Sequence, residues 1–207
     1  MEIHNILKNF IVLEGLDGSG TTTQLKMLKK NFDENKIDAF LTVEPTDGVI
    51  GKVIRDALRK KVLLDNKTLA LLFAADRNEH IYGKTGIIEQ LDKNKHVLCD
   101  RYLFSSIAYQ SLFCNRDWIV EINNFPLPEY LFFIKTSPQE CQKRMQNRSE
   151  KELFEDIKLQ ENILENYKFG INIFKKSEMK VFYINGEESP KIINENIWKI
   201  LFPMPIK

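Results

Sequence analysis

Between residues 15 and 22 the chain reads Gly15-Leu-Asp-Gly-Ser-Gly-Thr-Thr22, with three of its nine glycines inside six positions. That is the spacing of a phosphate-binding loop, G-x-x-x-x-G-K-[ST]. Glycines at those places let consecutive backbone N–H groups converge on phosphate oxygens, and a following helix N-terminus adds partial positive charge. Gly15, Gly18, Ser19, Gly20, Thr21 and Thr22 are therefore the candidate phosphate-binding residues. The competing reading is a tight glycine turn, and three glycines at this spacing after a strand favour the phosphate. One position departs from the pattern: Thr21 stands where the lysine belongs. The Thr22 hydroxyl remains available to a magnesium ion, but Thr21 cannot neutralise the outer phosphates. A missing preorganised contact of this kind costs about 3–4 kcal/mol, so another cation has to supply the charge or the activity is weak.

Three further constellations carry chemistry. His96-Val-Leu-Cys-Asp100 is a strand ending in a carboxylate, followed by Arg101. Beside a phosphate loop, Asp100 can hold a metal ion directly or through water, and Arg101 can brace a transferring phosphoryl group; alone, the pair would read as a solvated strand end. Phe73 and Arg77 are four apart in a helical run, so they share one face. A ring with a guanidinium beside it can stack on a base and donate to its edge, although a core Phe with a surface Arg is the plainer arrangement. Lys143, Arg144, Arg148 and Lys151 form a basic helical stretch. It is either a solvated face or a flap that closes cations over a nucleotide. Asn35-Lys-Ile-Asp38 matches a guanine-reading pattern but lies too early in the chain, and reads as a surface turn. The three histidines (His4, His80, His96) have no ligand or triad spacing.

These residues need elements to hold them. Short β-branched or aromatic runs, Phe10–Leu13, Phe40–Val43, Val97–Cys99, Tyr130–Ile134 and Val181–Ile184, predict five strands. None alternates with period two, as expected of parallel strands covered on both faces. Helical patterns lie between them, at about 20–32, 48–60, 66–82, 86–94, 104–113, 137–149, 152–176 and 189–202. Ser137-Pro-Gln-Glu140 is a helix start signal. Strand–helix alternation predicts an α/β domain with right-handed crossovers, ligands binding beyond the carboxyl ends of the strands. Those ends are Glu14-Gly15, Glu44-Pro45, Asp100-Arg101 and Lys135-Thr136.

Composition bounds the rest. At 207 residues one domain over 1–207 is expected, with a charged flap or lid at about 142–159. Thirty basic against twenty-nine acidic residues leave a net charge of +1, which excludes a general polyanion coat and argues against nucleic acid as a partner. Only seven of the basic residues are arginine, so their places matter. Three cysteines without CxxC spacing argue against a disulfide framework and fit a reducing, cytoplasmic compartment. No apolar run is long enough to span a membrane.

Taken in order, Phe10-IVLEGLDGSG-Gly20, Glu44-Pro45, Ile50-GKVIR-Arg55, Leu71-LFAADR-Arg77 and Asp100-RYLFSSIAYQ-Gln110 resemble the thymidylate kinase family over nearly the whole chain. The AADR and DRY-x-x-SSIAYQ segments are the specific ones. The resemblance implies a three-layer α/β/α P-loop kinase fold: a five-stranded parallel sheet with helices on both faces and a small helical lid. It implies ATP- and Mg²⁺-dependent phosphorylation of dTMP to dTDP, and a homodimer. It also implies that Phe73 stacks on thymine with Arg77 at its edge, and that Ser105, Ser106, Tyr109 and Gln110 line the nucleoside pocket, Tyr109 near the deoxyribose. Glu44, Arg55 and Arg101 would face the acceptor, and Asp17 the sugar 3′-hydroxyl or Mg²⁺, with Thr22 and Asp100 as metal residues. Arg144 and Arg148 would face ATP. Asp17, Arg101 and Arg148 are thus the catalytic candidates. The chain departs from the family at Thr21, at Leu153, where lid patterns carry a second arginine, and at Val43, where many relatives have arginine. Another deoxynucleoside monophosphate as acceptor, or a catalytically weak nucleotide-binding pseudo-enzyme, is the alternative.

Overall fold

The side chains of β1 (Ile6–Gly15) explain why the apolar runs show no alternation. Phe10 and Val12 pack into one core while Ile11 and Leu13 pack into a second, on the opposite face of the sheet. The strands β3 (His96–Asp100) and β4 (Leu127–Lys135) divide in the same way, Val97 and Cys99 against Leu98, and Leu131 and Phe133 against Phe132 and Ile134. Both pleat faces being apolar, period two vanishes from the sequence. The computed structural model describes residues 5–146 and 157–203. With β2 (Ala39–Val43) and β5 (Lys180–Asn185), the sheet runs β2-β3-β1-β4-β5, every pair parallel.

One core is closed by α1 (Thr21–Glu34) and α9 (Pro190–Leu201), through Leu25, Leu28, Phe32, Ile193 and Ile197. The other is closed by α3 (Asn66–Tyr82), α4 (Ile87–Asp92), α5 (Leu103–Gln110), α6 (Arg116–Ile122), α7 (Pro138–Met145) and α8 (Ile157–Ile173). The remaining helix, α2 (Val49–Leu58), packs against α3. This is a three-layer α/β/α P-loop kinase fold. The Ser137 hydroxyl caps α7 by accepting from the Glu140 N–H, with Pro138 at its first turn.

Three expectations change. The strands β2 and β5 are the sheet edges, so Leu41, Val43 and Tyr183 are exposed rather than covered on both faces. A helix absent from the sequence reading, α6, is nucleated by the Asn115 side chain accepting from the Trp118 N–H. The helix expected over 137–149 ends at Met145, and the one expected over 152–176 is described from Ile157 to Ile173. Most of the expected lid, with Arg148, Lys151 and Leu153, lies outside the described residues. Among the described residues no helix is long and apolar enough to cross a membrane.

Candidate active site

The loop between β1 and α1 is shaped by its glycines. Gly18 (φ +85°) and Gly20 (φ +100°) take the left-handed conformation that side chains resist. At Gly18 space is short as well, because an added Cβ would lie 2.7 Å from the Cys141 carbonyl oxygen. No side chain caps α1, so its first N–H groups stay open to an anion. They border a cavity of about 520 Å³ lined by residues 17–24 together with Arg101, Arg144 and Glu188. Thr21 is buried, and the buried Ser19 hydroxyl has no partner among the described residues. Arg144 reaches this loop from α7. Its guanidinium donates to the Ser19 carbonyl (3.4 Å) and to Glu140 (3.0 Å), which places one cation beside the lysine-less loop.

At the end of β3 the Thr22 hydroxyl donates to Asp100 Oδ2. Asp100 Oδ1 is buried and has no partner among the described residues. A carboxylate oxygen left unsatisfied beside a hydroxyl is a donor set that fits Mg²⁺, a hard cation that keeps water and phosphate oxygens among its ligands. Among the described residues no cluster of three or more His, Cys, Asp or Glu side chains is arranged to hold a metal by itself.

A second cavity, of about 260 Å³, opens beyond β2 and β3. The structure brings all eight residues read as acceptor-binding to its wall: Glu44, Arg55, Phe73, Arg77, Ser105, Ser106, Tyr109 and Gln110. Asp17, Thr22 and Arg101 line both this cavity and the one at the glycine loop. The two therefore meet at the carboxyl ends of β1 and β3, where such a sheet binds ligands.

Hydrogen bonds fix the walls. Arg77 is buried and donates from Nε to Glu44 Oε2 (2.9 Å), from one terminal nitrogen to Ser106 (3.0 Å), and from the other to Asn123. Its guanidinium also lies over the rings of Tyr102 and Phe125. Glu44 Oε1 pairs with His80 Nδ1 (2.9 Å), whose Nε2 meets the Thr42 hydroxyl (2.6 Å). Asp76 accepts from both the N–H (2.7 Å) and the hydroxyl (2.6 Å) of Thr46. The turn so formed offers the Pro45 and Thr46 carbonyls and Asp47 to Arg55.

Arg101 sits where the cavities meet, with a left-handed backbone (φ 69°) unusual for a side chain of its size. It donates to Asp17 (2.6 Å), the Gly15 carbonyl (3.1 Å), Ser105 (3.2 Å), Tyr167 (3.1 Å) and Tyr109 (3.4 Å). Burial alone would lower its pKa, but Tyr109, Asp17 and Tyr167 hold the guanidinium well above its ordinary range. Beneath it Glu14 has no accessible surface, and burial raises its carboxyl to about 7 despite the opposing Arg101 charge.

Glu14, Asp76, His80, Asn123 and Tyr167 belong to this network without a site role foreseen from sequence, where Glu14 is only a strand end and His80 only a histidine without ligand spacing. Glu14 and Asp76 each stand inside a quoted motif, and that position was the available signal. His80 lies one turn beyond Asp76 on the same helix. Asn123 and Tyr167 come from α6 and α8, and no local pattern ties them to the site.

A family model described as thymidylate kinase matches residues 13–197. The chain is 43% identical over 200 residues to a putative thymidylate kinase of Treponema pallidum, covering 93% of this chain and 94% of that protein. It is 39% identical over 196 residues to a probable thymidylate kinase of Pyrococcus abyssi (91% and 93% covered). A probable thymidylate kinase of Methanocaldococcus jannaschii is 44% identical over 160 residues (76% and 79%).

Proposed function

The chain belongs to the thymidylate kinase family and is an ATP-dependent phosphotransferase, and on that premise we propose that it converts dTMP to dTDP by direct transfer between the two cavities described above. The observation that carries this reading is the sharing of Asp17, Thr22 and Arg101 by the glycine-loop cavity and the acceptor cavity. A phosphate held in each would meet at those three side chains. An oxygen of the dTMP phosphate attacks the γ-phosphorus of ATP, the bond to the β-phosphate oxygen breaks, and ADP leaves. Most of the catalysis in such a transfer is alignment and charge neutralisation.

The roles follow from position. The loop after Gly15 and the uncapped first turn of α1 hold the donor phosphates through their open N–H groups, that of Ser19 being taken by the Leu16 carbonyl (3.0 Å), and Arg144 supplies the charge that Thr21 lacks. Arg148, outside the described residues, would add a second cation. Arg55 and Arg101 grip the acceptor phosphate, while Asp17 orients Arg101 and faces the sugar. Phe73, from the wall, stacks on the base, whose edge meets Arg77, Ser106 and Gln110; Tyr109 crowds the sugar at its 2′ position. Glu44 keeps Arg77 in place. Thr22 and Asp100 would hold Mg²⁺, which when bound screens charge on the phosphate oxygens and helps set their geometry.

The protein works as a single domain with a lid at about 142–159. We place it in the cytoplasm as a homodimer, without nucleic acid or membrane as partner. Three free cysteines suit a reducing compartment. The exposed Leu41, Val43 and Val49, which line one cavity beside β2 and α2, are an apolar surface that pairing would cover. ADP release measured with ATP and Mg²⁺ across dTMP, dUMP, dCMP and dGMP tests the reading. The dTMP reaction should have the highest kcat/KM, and an acceptor preference for a purine nucleotide would refute the assignment of the pocket.

A further inference from the structure

Glu14 touches neither cavity, yet four donors from two helices converge on its buried carboxylate. Its Oε1 accepts from the backbone N–H groups of Tyr102 (2.8 Å) and Ser105 (3.1 Å). Its Oε2 accepts from the hydroxyls of Ser105 (2.7 Å) and Tyr167 (2.9 Å). Each hydroxyl has a single proton: Glu14 Oε2 is the nearest acceptor for Ser105 (2.7 Å), and for Tyr167 the carboxylate at 2.9 Å competes with the neutral Ser105 oxygen at 2.8 Å and wins by its charge. With their protons turned down to the carboxylate, Ser105 and Tyr167 present lone pairs upward, and Arg101 donates to those two oxygens. The two backbone contacts bracket the start of α5, directly after Arg101 in its left-handed conformation.

We infer that Glu14 is a positioning residue for phosphoryl transfer. By accepting from Ser105, Tyr167 and the first turn of α5, it sets the direction of two hydroxyl dipoles and so holds Arg101 where the donor and acceptor cavities meet. This rests on the reading of Arg101 as the residue that grips the acceptor phosphate. A carboxylate is suited to the task because it only accepts. An amide in its place would turn one NH₂ toward donors. Facing the backbone it opposes two N–H groups; facing the hydroxyls it makes them accept, and their protons then swing toward the guanidinium. The outcome is a displaced Arg101 in a protein of unchanged shape and volume.

The test is Glu14→Gln, with Tyr167→Phe as a second variant that removes one relay hydroxyl and leaves the carboxylate. Steady-state kinetics are measured at pH 8 against dTMP and against ATP separately, with dTMP affinity measured by calorimetry. Glu14→Gln should weaken dTMP binding and lower kcat each by roughly tenfold or more, while the KM for ATP changes by less than about twofold. Tyr167→Phe should shift the same two quantities in the same direction by about threefold to tenfold. A uniform loss of ATP and dTMP affinity, or folded variants with wild-type dTMP kinetics, would overturn the inference. If Glu14→Gln fails to fold, an unchanged dTMP KM in Tyr167→Phe overturns it alone. A wild-type chain that binds no dTMP refutes the assigned function, and this inference with it; a wild-type chain that binds while both variants behave normally refutes the inference only.

Discussion

Glu44→Ala should be among the most damaging single substitutions in this protein, and its cost can be reasoned from the surroundings. Arg77 is 1% and Glu44 4% exposed, with Arg77 nitrogens 2.9 and 2.7 Å from one carboxylate oxygen and His80 on the other. Removing the carboxylate leaves a guanidinium sealed under Tyr102 and Phe125 with only the neutral acceptors Asn123 and Ser106. Breaking a buried pair in this way costs about 3–5 kcal/mol, because the remaining charge stays desolvated. Glu44→Gln keeps the shape and one acceptor, and should cost about 1.5–3 kcal/mol. The double variant Glu44→Ala/Arg77→Met should cost less than the two single losses added, with coupling of about 2 kcal/mol or more. Urea unfolding followed by circular dichroism reads all four numbers. A loss below about 1 kcal/mol for Glu44→Ala, or additivity to within about 0.5 kcal/mol, would refute the argument that the pair is buried and mutually dependent.

Other substitutions separate the remaining roles. Arg144→Ala should lower kcat/KM for ATP by about tenfold to a hundredfold and leave dTMP affinity unchanged, since the side chain borders only the glycine-loop cavity. Thr21→Lys should raise kcat, and Arg144→Ala should then cost less in that background; equal losses in both backgrounds would show that Arg144 does not stand in for the lysine. Gly18→Ala should impair folding or ATP binding, because the residue sits at φ +85° with the Cys141 carbonyl 2.7 Å from the added carbon. Glu14 makes stability depend on pH. Its carboxyl is raised from 4.5 unfolded to about 7 folded. The proton-linked stabilisation is therefore complete below pH 4.5 and lost as pH rises to 7. Relative to Glu14→Gln, the wild type should lose up to about 3 kcal/mol over that interval, and parallel curves would contradict the burial of a titrating group.

The sequence displayed what is locally encoded. The strands β1, β3 and β4 stand out as apolar runs because both their faces are covered, and the glycine loop stands out because two of its residues need left-handed backbone. The residues read as acceptor-binding stood in motifs, and one cavity at the end of β3 gathers them. What escaped depends on tertiary contact. The exposure of β2 and β5 follows from strand order, which local pattern does not carry. A helix as short as α6, seven residues long, completes few amphipathic turns. Glu14 looked like the end of a strand, and its meaning comes from Tyr102, Ser105 and Tyr167, between 88 and 153 positions away. His80 had no ligand spacing because its partners, Thr42 and Glu44, lie in β2 and just after it. Arg116, which no motif includes, donates to Asn166 (2.7 Å) and lies over Phe169.

Direct transfer between two cavities that meet at Asp17, Thr22 and Arg101 is tested most plainly by identifying the product. The purified chain is incubated with γ-³²P-labelled ATP, Mg²⁺ and dTMP, and the nucleotides are separated. Labelled dTDP should form in equal amount with ADP, with no labelled inorganic phosphate beyond a dTMP-free control. Labelled phosphate in place of dTDP, or dTMP bound with no labelled product, would contradict it.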